Sequence, residues 1–97
     1  MTTVVNIADK FSRFQDHWNP KLVAELNGQH LKLVKLKGEF VAHAHENEDE
    51  LFLVIGGTLR IRLPDQELQL GPGEFVVIPR GVRHQPIADE ETRVLLL

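Results

Sequence analysis

Three of the five histidines stand in two compact clusters, His43-Ala44-His45 followed by Glu50, and Pro79-Arg80-Gly81-Val82-Arg83-His84. On an extended strand residues i and i+2 face the same side, so His43 and His45 present two imidazoles side by side, as two ligands on one metal ion require. The interval Glu46-Asn47-Glu48-Asp49 is polar and turn-forming. It lets the chain double back and bring the Glu50 carboxylate opposite the two rings. A period-two reading from Glu50 puts Phe52 and Val54 on its face, where a lone charge is costly unless it is paired or coordinates a cation. His17 and His30 fall outside both clusters and are read as surface or packing residues.

Composition narrows the remaining chemistry. Zero cysteines exclude disulfides, a Cys-ligated zinc or iron–sulfur site and a thiol nucleophile, and the absence of tyrosine excludes a Tyr-assisted mechanism. Ninety-seven residues leave room for one domain, spanning 1–97. A formal net charge of −3 without any basic block argues against nucleic acid as a partner. The longest apolar run, Leu51 to Ile55, is far too short to cross a bilayer, so no membrane is expected. The start MTTVVNIADK has neither a charged n-region nor an apolar h-region, which makes the cytoplasm the expected location.

The elements that must position the clusters are mainly strands. Residues 1–20 read as one short helix and a lead-in. Ile7, Phe11 and Phe14 fall at i, i+4 and i+7, Asn6 stands at the N-cap, and Asn19-Pro20 breaks any continuation. From 21 to 97 the pattern is β. Asn27-Gly28 marks a type I′ hairpin, and turn clusters at Gly56-Gly57, Pro64-Asp65-Gln66, Gly71-Pro72-Gly73 and Pro79-Arg80-Gly81 separate short apolar runs, the spacing of an all-β sandwich or barrel. Leu59, Ile61 and Leu63 alternate with Arg60 and Arg62, so the arginines face out and are not expected to clamp a substrate. Trp18 and the phenylalanines read as core rather than as part of a ligand pocket. Leu51–Ile55, Phe75–Ile78 and Val94–Leu97 are apolar on both faces. Because the short helix can cover only part of the outer face, the pattern predicts a homodimer packed sheet to sheet.

Taken together, the two clusters resemble the two sequence motifs of the cupin family. Gly38, His43, His45, Glu50 and Gly57 fill the first, and Gly73, Pro79, Gly81 and His84 fill the second without a gap. Two departures stand out: four residues instead of five separate Gly38 from His43, and Ala88 stands where the second motif often ends in Asn. The 15 residues between Gly57 and Gly73 are similar to the spacing of compact single-domain bacterial cupins, some of which carry a label borrowed from mannose-6-phosphate isomerase. The resemblance implies a small β-barrel, the double-stranded β-helix or jelly roll. It also implies a divalent metal held by His43, His45, Glu50 and His84, while Gly38, Gly57, Gly73, Pro79 and Gly81 shape the turns. Three imidazoles and one carboxylate suit Mn, Fe, Co, Ni, Cu or Zn better than Ca or Mg. An octahedral ion with four protein ligands keeps two positions for water, O₂ or a chelating small molecule. Two functional readings follow: a metalloenzyme that dioxygenates or isomerises a small polar or sugar-like metabolite, and a non-catalytic binding or sensing module. The missing polar side chain at Ala88 favours the second. A third reading leaves the four side chains around an empty pocket.

Overall fold

Residues 2–97 are described here from a computed structural model. Helix α1 (Ile7–Phe11) is followed by seven strands: β1 (Lys21–Leu26), β2 (Gln29–Glu39), β3 (Glu50–Gly56), β4 (Leu59–Arg62), β5 (Glu67–Leu70), β6 (Phe75–Ile78) and β7 (Gln85–Leu96). The Asn6 side chain accepts from the Asp9 amide at 2.9 Å, as its N-cap position predicts. The helix stops a turn earlier than the apolar spacing suggests. The Ser12 amide bonds back to the Ala8 and Asp9 carbonyls and that of Arg13 to Lys10, closing the last turn. Phe14 therefore lies beyond the helix, with its ring 5.8 Å from that of Phe11.

All seven strands belong to one antiparallel sheet folded on itself, the all-β barrel with one short helix that the strand pattern implied. Strand β7 is the spine. Along one edge it pairs with β2, and along the other its first residues pair with β4 and its last with β3. Beyond those, β1 continues from β2, β6 from β3 and β5 from β4. Asn27 and Gly28 both have positive φ, 53° and 79°, the type I′ turn expected between β1 and β2.

Alternation decides which residues line the interior. Val34 and Leu36 of β2, Phe52 and Val54 of β3, Leu59 and Ile61 of β4, Ala88 and Val94 of β7, with Leu70 and Ile78, form the buried cluster. Arg60 points outward, its guanidinium paired with Asp89 at 2.9 Å and Glu67 at 3.2 Å. On the outer face α1 packs over β2, where Leu33 and Phe11 are fully buried. Across β6, β3 and β7 that face carries Phe75, Leu53 and Leu95 side by side, and Phe75 and Val77 are 63% and 47% exposed. Among the described residues no helix is long and apolar enough to cross a membrane.

Candidate metal centre

Glu50 opens β3 opposite Ile78 of β6, on the side that Phe52 and Val54 turn to the core. His84 stands just before β7, where the Pro79–Gly81 turn delivers the chain. An isolated antiparallel bridge ties it to His43, with His43 N donating to His84 O at 2.9 Å and the reverse bond at 2.8 Å. The strand expected through His43-Ala44-His45 is not continuous. Only His43 pairs in a bridge, while the His45 carbonyl accepts from the Gly81 amide at 2.7 Å and so serves the second cluster's turn instead. The side-by-side arrangement survives this: the His43 and His45 ring centroids are 4.9 Å apart, and lie 4.4 and 5.6 Å from the His84 ring.

The Glu50 carboxylate faces all this with Oε2 3.3 Å from His45 Nε2 and Oε1 3.7 Å from His84 Nε2. One donor atom from each of His43, His45, Glu50 and His84 lies within 4.8 Å of the other three. Donors that each sit about 2.0–2.2 Å from a single ion are at most about 4.4 Å apart. The cluster is thus a few tenths of an ångström from closing on one ion. Sequence reasoning named all four residues, and the fold brings all four together.

Ring orientation is set by the backbone. His43 and His84 each place Nδ1 3.0 Å from the carbonyl two residues earlier, Val41 and Val82. A carbonyl can only accept, so the proton sits on Nδ1 and the Nε2 lone pair is left for the cluster. His84 Nε2 is buried and has no hydrogen-bond partner among the described residues. An orphaned buried polar atom costs about 1–3 kcal/mol, which a bound cation would offset. The Glu50 carboxylate beside it, at a distance too long for a well-formed hydrogen bond, holds the His84 pKa above the ordinary 6.5. Burial opposes that shift, and the Val82 carbonyl reinforces it. Three imidazoles and one carboxylate with an unsatisfied buried nitrogen fit a divalent transition metal.

Two features beside the centre were not legible in the sequence. Asp49 Oδ1 accepts from both the Arg80 amide at 2.9 Å and Arg80 Nε at 3.3 Å. With the Gly81-to-His45 bond, this clasp fastens the segment before Glu50 to the turn before His84. The hydrogen bonds to Arg80 also hold the Asp49 carboxyl below its usual range. The pair is separated by 31 positions and no local pattern joins it. Aromatic rings supply the second feature. Phe40 meets the His43 ring edge-on at 5.4 Å and Phe52 meets that of His84 at 5.9 Å, while Trp18 stacks on Phe40 at 4.9 Å. Trp18 does pack against the core, as expected, but Phe40 stays 38% exposed beside the His43 ring. His17 and His30 stand outside the four-residue cluster, paired with Glu91 and Glu25, although His30 lines the same open cavity as His45 and Glu50. An open cavity of about 800 Å³ reaches the centre at His45 and Glu50, bounded by the β1–β2 turn, Asp49, Arg80 and the end of β7.

The Cupin_2 family model, described as a cupin domain, matches residues 31–97. The chain belongs to the cupin family. This cupin is similar to a cupin-2 domain protein from Shewanella frigidimarina, with 49% identity and a TM-score of 0.95 over 96% of this chain and 91% of that one. Its fold is also shared by protein NMB1881 from Neisseria meningitidis, at 23% identity and a TM-score of 0.89 over 97% and 96% of the two chains. The uncharacterised protein YdbB of Bacillus subtilis is 34% identical over 64 residues, 65% of this cupin and 57% of YdbB, so the match spans little more than half of that curated relative.

Proposed function

We propose that this cupin holds one divalent transition-metal ion on His43, His45, Glu50 and His84 and acts there on a small polar metabolite that chelates the ion. The observation that carries this reading is the buried, partnerless Nε2 of His84 among three other donor groups, all within 4.8 Å. When bound, the ion supplies Lewis acidity and a template for two neighbouring oxygens. The chain's own residues do the rest. The Val41 and Val82 carbonyls fix the tautomers that present Nε2, the Asp49–Arg80 clasp fixes the approach of the two motifs, and Phe40 and Phe52 surround the rings with apolar edges. Protein purified without chelator or affinity tag should carry close to one equivalent of transition metal by elemental analysis. A small fraction of an equivalent, unchanged after incubation with Mn, Fe, Co, Ni, Cu or Zn, refutes the reading.

A second reading, a metabolite-binding module without turnover, is favoured by Ala88, a fully buried apolar residue inside the barrel, and by Phe40 and Phe52, which pack on the ligand rings and carry no proton to transfer. The metal-loaded protein incubated with sugar phosphates, diols and enediols separates the two: turnover of any of them excludes the binding module. The partner proposed for the outer face is a second copy of the chain. Phe75, Val77, Leu51, Leu53 and Leu95 form an apolar surface across three strands that one short helix does not reach.

A further inference from the structure

We propose that Lys32 sets the ligand class of this site: its ammonium takes a carboxylate at the far end of the molecule that chelates the metal. The inference rests on the metal reading above and deepens it to chelators that carry a second acidic group. Strand alternation puts Lys32 on the face that Val34 and Leu36 turn to the core, toward the end of β2 where the barrel opens. Lys35 stands on the opposite face of the same strand, where its Nζ donates to the Phe14 carbonyl at 2.7 Å. Lys32 is half-buried, and it lines the cavity of about 800 Å³ that reaches His45 and Glu50.

The other cations of that cavity are engaged. Arg80 is bonded to Asp49, and His30 stands 3.4 Å from Glu25. Among the described residues no carboxylate oxygen lies within 4.0 Å of the Lys32 ammonium. A partly desolvated charge without a counter-ion favours the arrival of one. Strand register gives the span the ligand must cover. Lys32 pairs with Leu96 and Leu96 with Phe52, and Glu50 lies two residues before Phe52 on the same face. Two strand spacings across and two residues along separate the Lys32 and Glu50 Cα atoms by about 12 Å. A lysine side chain, a short ligand and a metal-bound carboxylate fill that span end to end. Glu48 and Asp49 line the same cavity, so a singly charged carboxylate meets less repulsion there than a dianionic phosphate.

The test uses protein loaded with Zn²⁺ or Ni²⁺ and two probes of equal chain length, glutaric monohydroxamate and pentanohydroxamate. They share the chelating head and differ only in the terminal carboxylate. Titration calorimetry gives each Kd. A half-buried ammonium–carboxylate contact predicts that the parent prefers glutaric monohydroxamate about fivefold to thirtyfold. Lys32→Gln should bring the two affinities within about twofold of each other, with pentanohydroxamate bound as in the parent. Lys32→Arg, which keeps the charge, should retain the preference, and all three proteins should carry the same metal content by elemental analysis. A parent that does not distinguish the probes, or a Lys32→Gln variant that keeps the preference or weakens both probes equally, would overturn the role of Lys32 while leaving the metal centre standing. A parent that takes up no metal would overturn the metal reading and this inference together.

Discussion

Replacing His84 by Leu separates what the site imposes on the fold from what it does with metal. In the metal-free protein, at a pH above the folded pKa of His84, the substitution removes a buried neutral nitrogen that lacks a hydrogen-bond partner among the described residues, a gain of about 1–3 kcal/mol. It also gives up the Nδ1–H bond to Val82, a loss of about 0.5–1.5 kcal/mol. The variant should therefore be at least about as stable as the parent, despite losing a fully buried residue. Metal reverses the order. At a metal concentration of 100 times Kd the parent gains about 2.7 kcal/mol, or about 10–20 °C in Tm for a domain of this size. Losing a direct ligand weakens binding at least as much as the 10–100-fold known for outer partners. At the same concentration the variant then gains at most about 0.4–1.4 kcal/mol, roughly 2–11 °C. Thermal unfolding followed by circular dichroism, with metal and after chelation, measures all four values, and an equal metal-induced rise in both proteins would refute the reasoning. The pH dependence has a defined sign. The folded pKa of His84 lies above 6.5, so its contribution to the metal-free fold is complete below pH 6.5 and fades as pH rises through the folded value. Metal needs the unprotonated Nε2, so the metal-induced rise in Tm should grow over the same window.

Three further outcomes are expected. Asp49→Ala should lower metal affinity about 10–100-fold by freeing the turn before His84. Asp49→Asn, which keeps an acceptor for the Arg80 amide, should lose less, and titration calorimetry showing equal affinity for all three proteins would dismiss the clasp as a positioning device. Gly57→Ala should destabilise the fold by about 1–3 kcal/mol in urea unfolding, because φ is +88° and a Cβ would stand 2.7 Å from Thr92 Oγ1 and 2.9 Å from the Glu91 carbonyl. Light scattering at micromolar concentration should give the parent twice the 11.0 kDa chain mass and the Phe75→Lys, Val77→Lys double variant a single chain mass. A monomeric parent would dispose of the dimer.

Local chemistry made much of this architecture readable in advance. Asn27-Gly28 announced its turn because few residues tolerate two successive positive φ angles, and Leu59 to Leu63 announced their faces because strand alternation is strict. The four clustered residues were legible for two reasons: the spacing of His43, His45 and Glu50 brings those side chains to one face, and the turn before His84 resembles the second cupin motif. The clasp between Asp49 and Arg80, and the stack of Trp18 on Phe40, were not. Each joins residues distant in sequence, through contacts that exist only once the sheet has folded on itself. The helix end escaped for a different reason: the spacing of Ile7, Phe11 and Phe14 is helical, but backbone bonds from Ser12 and Arg13 close the turn before it reaches Phe14.

X-ray absorption at the metal edge of the loaded protein tests the central claim most directly. The account predicts a first shell of nitrogen and oxygen donors with outer-shell scattering from three imidazole rings, reduced to two rings in His84→Leu. A spectrum without imidazole scattering, or one that His84→Leu leaves unchanged, would contradict it.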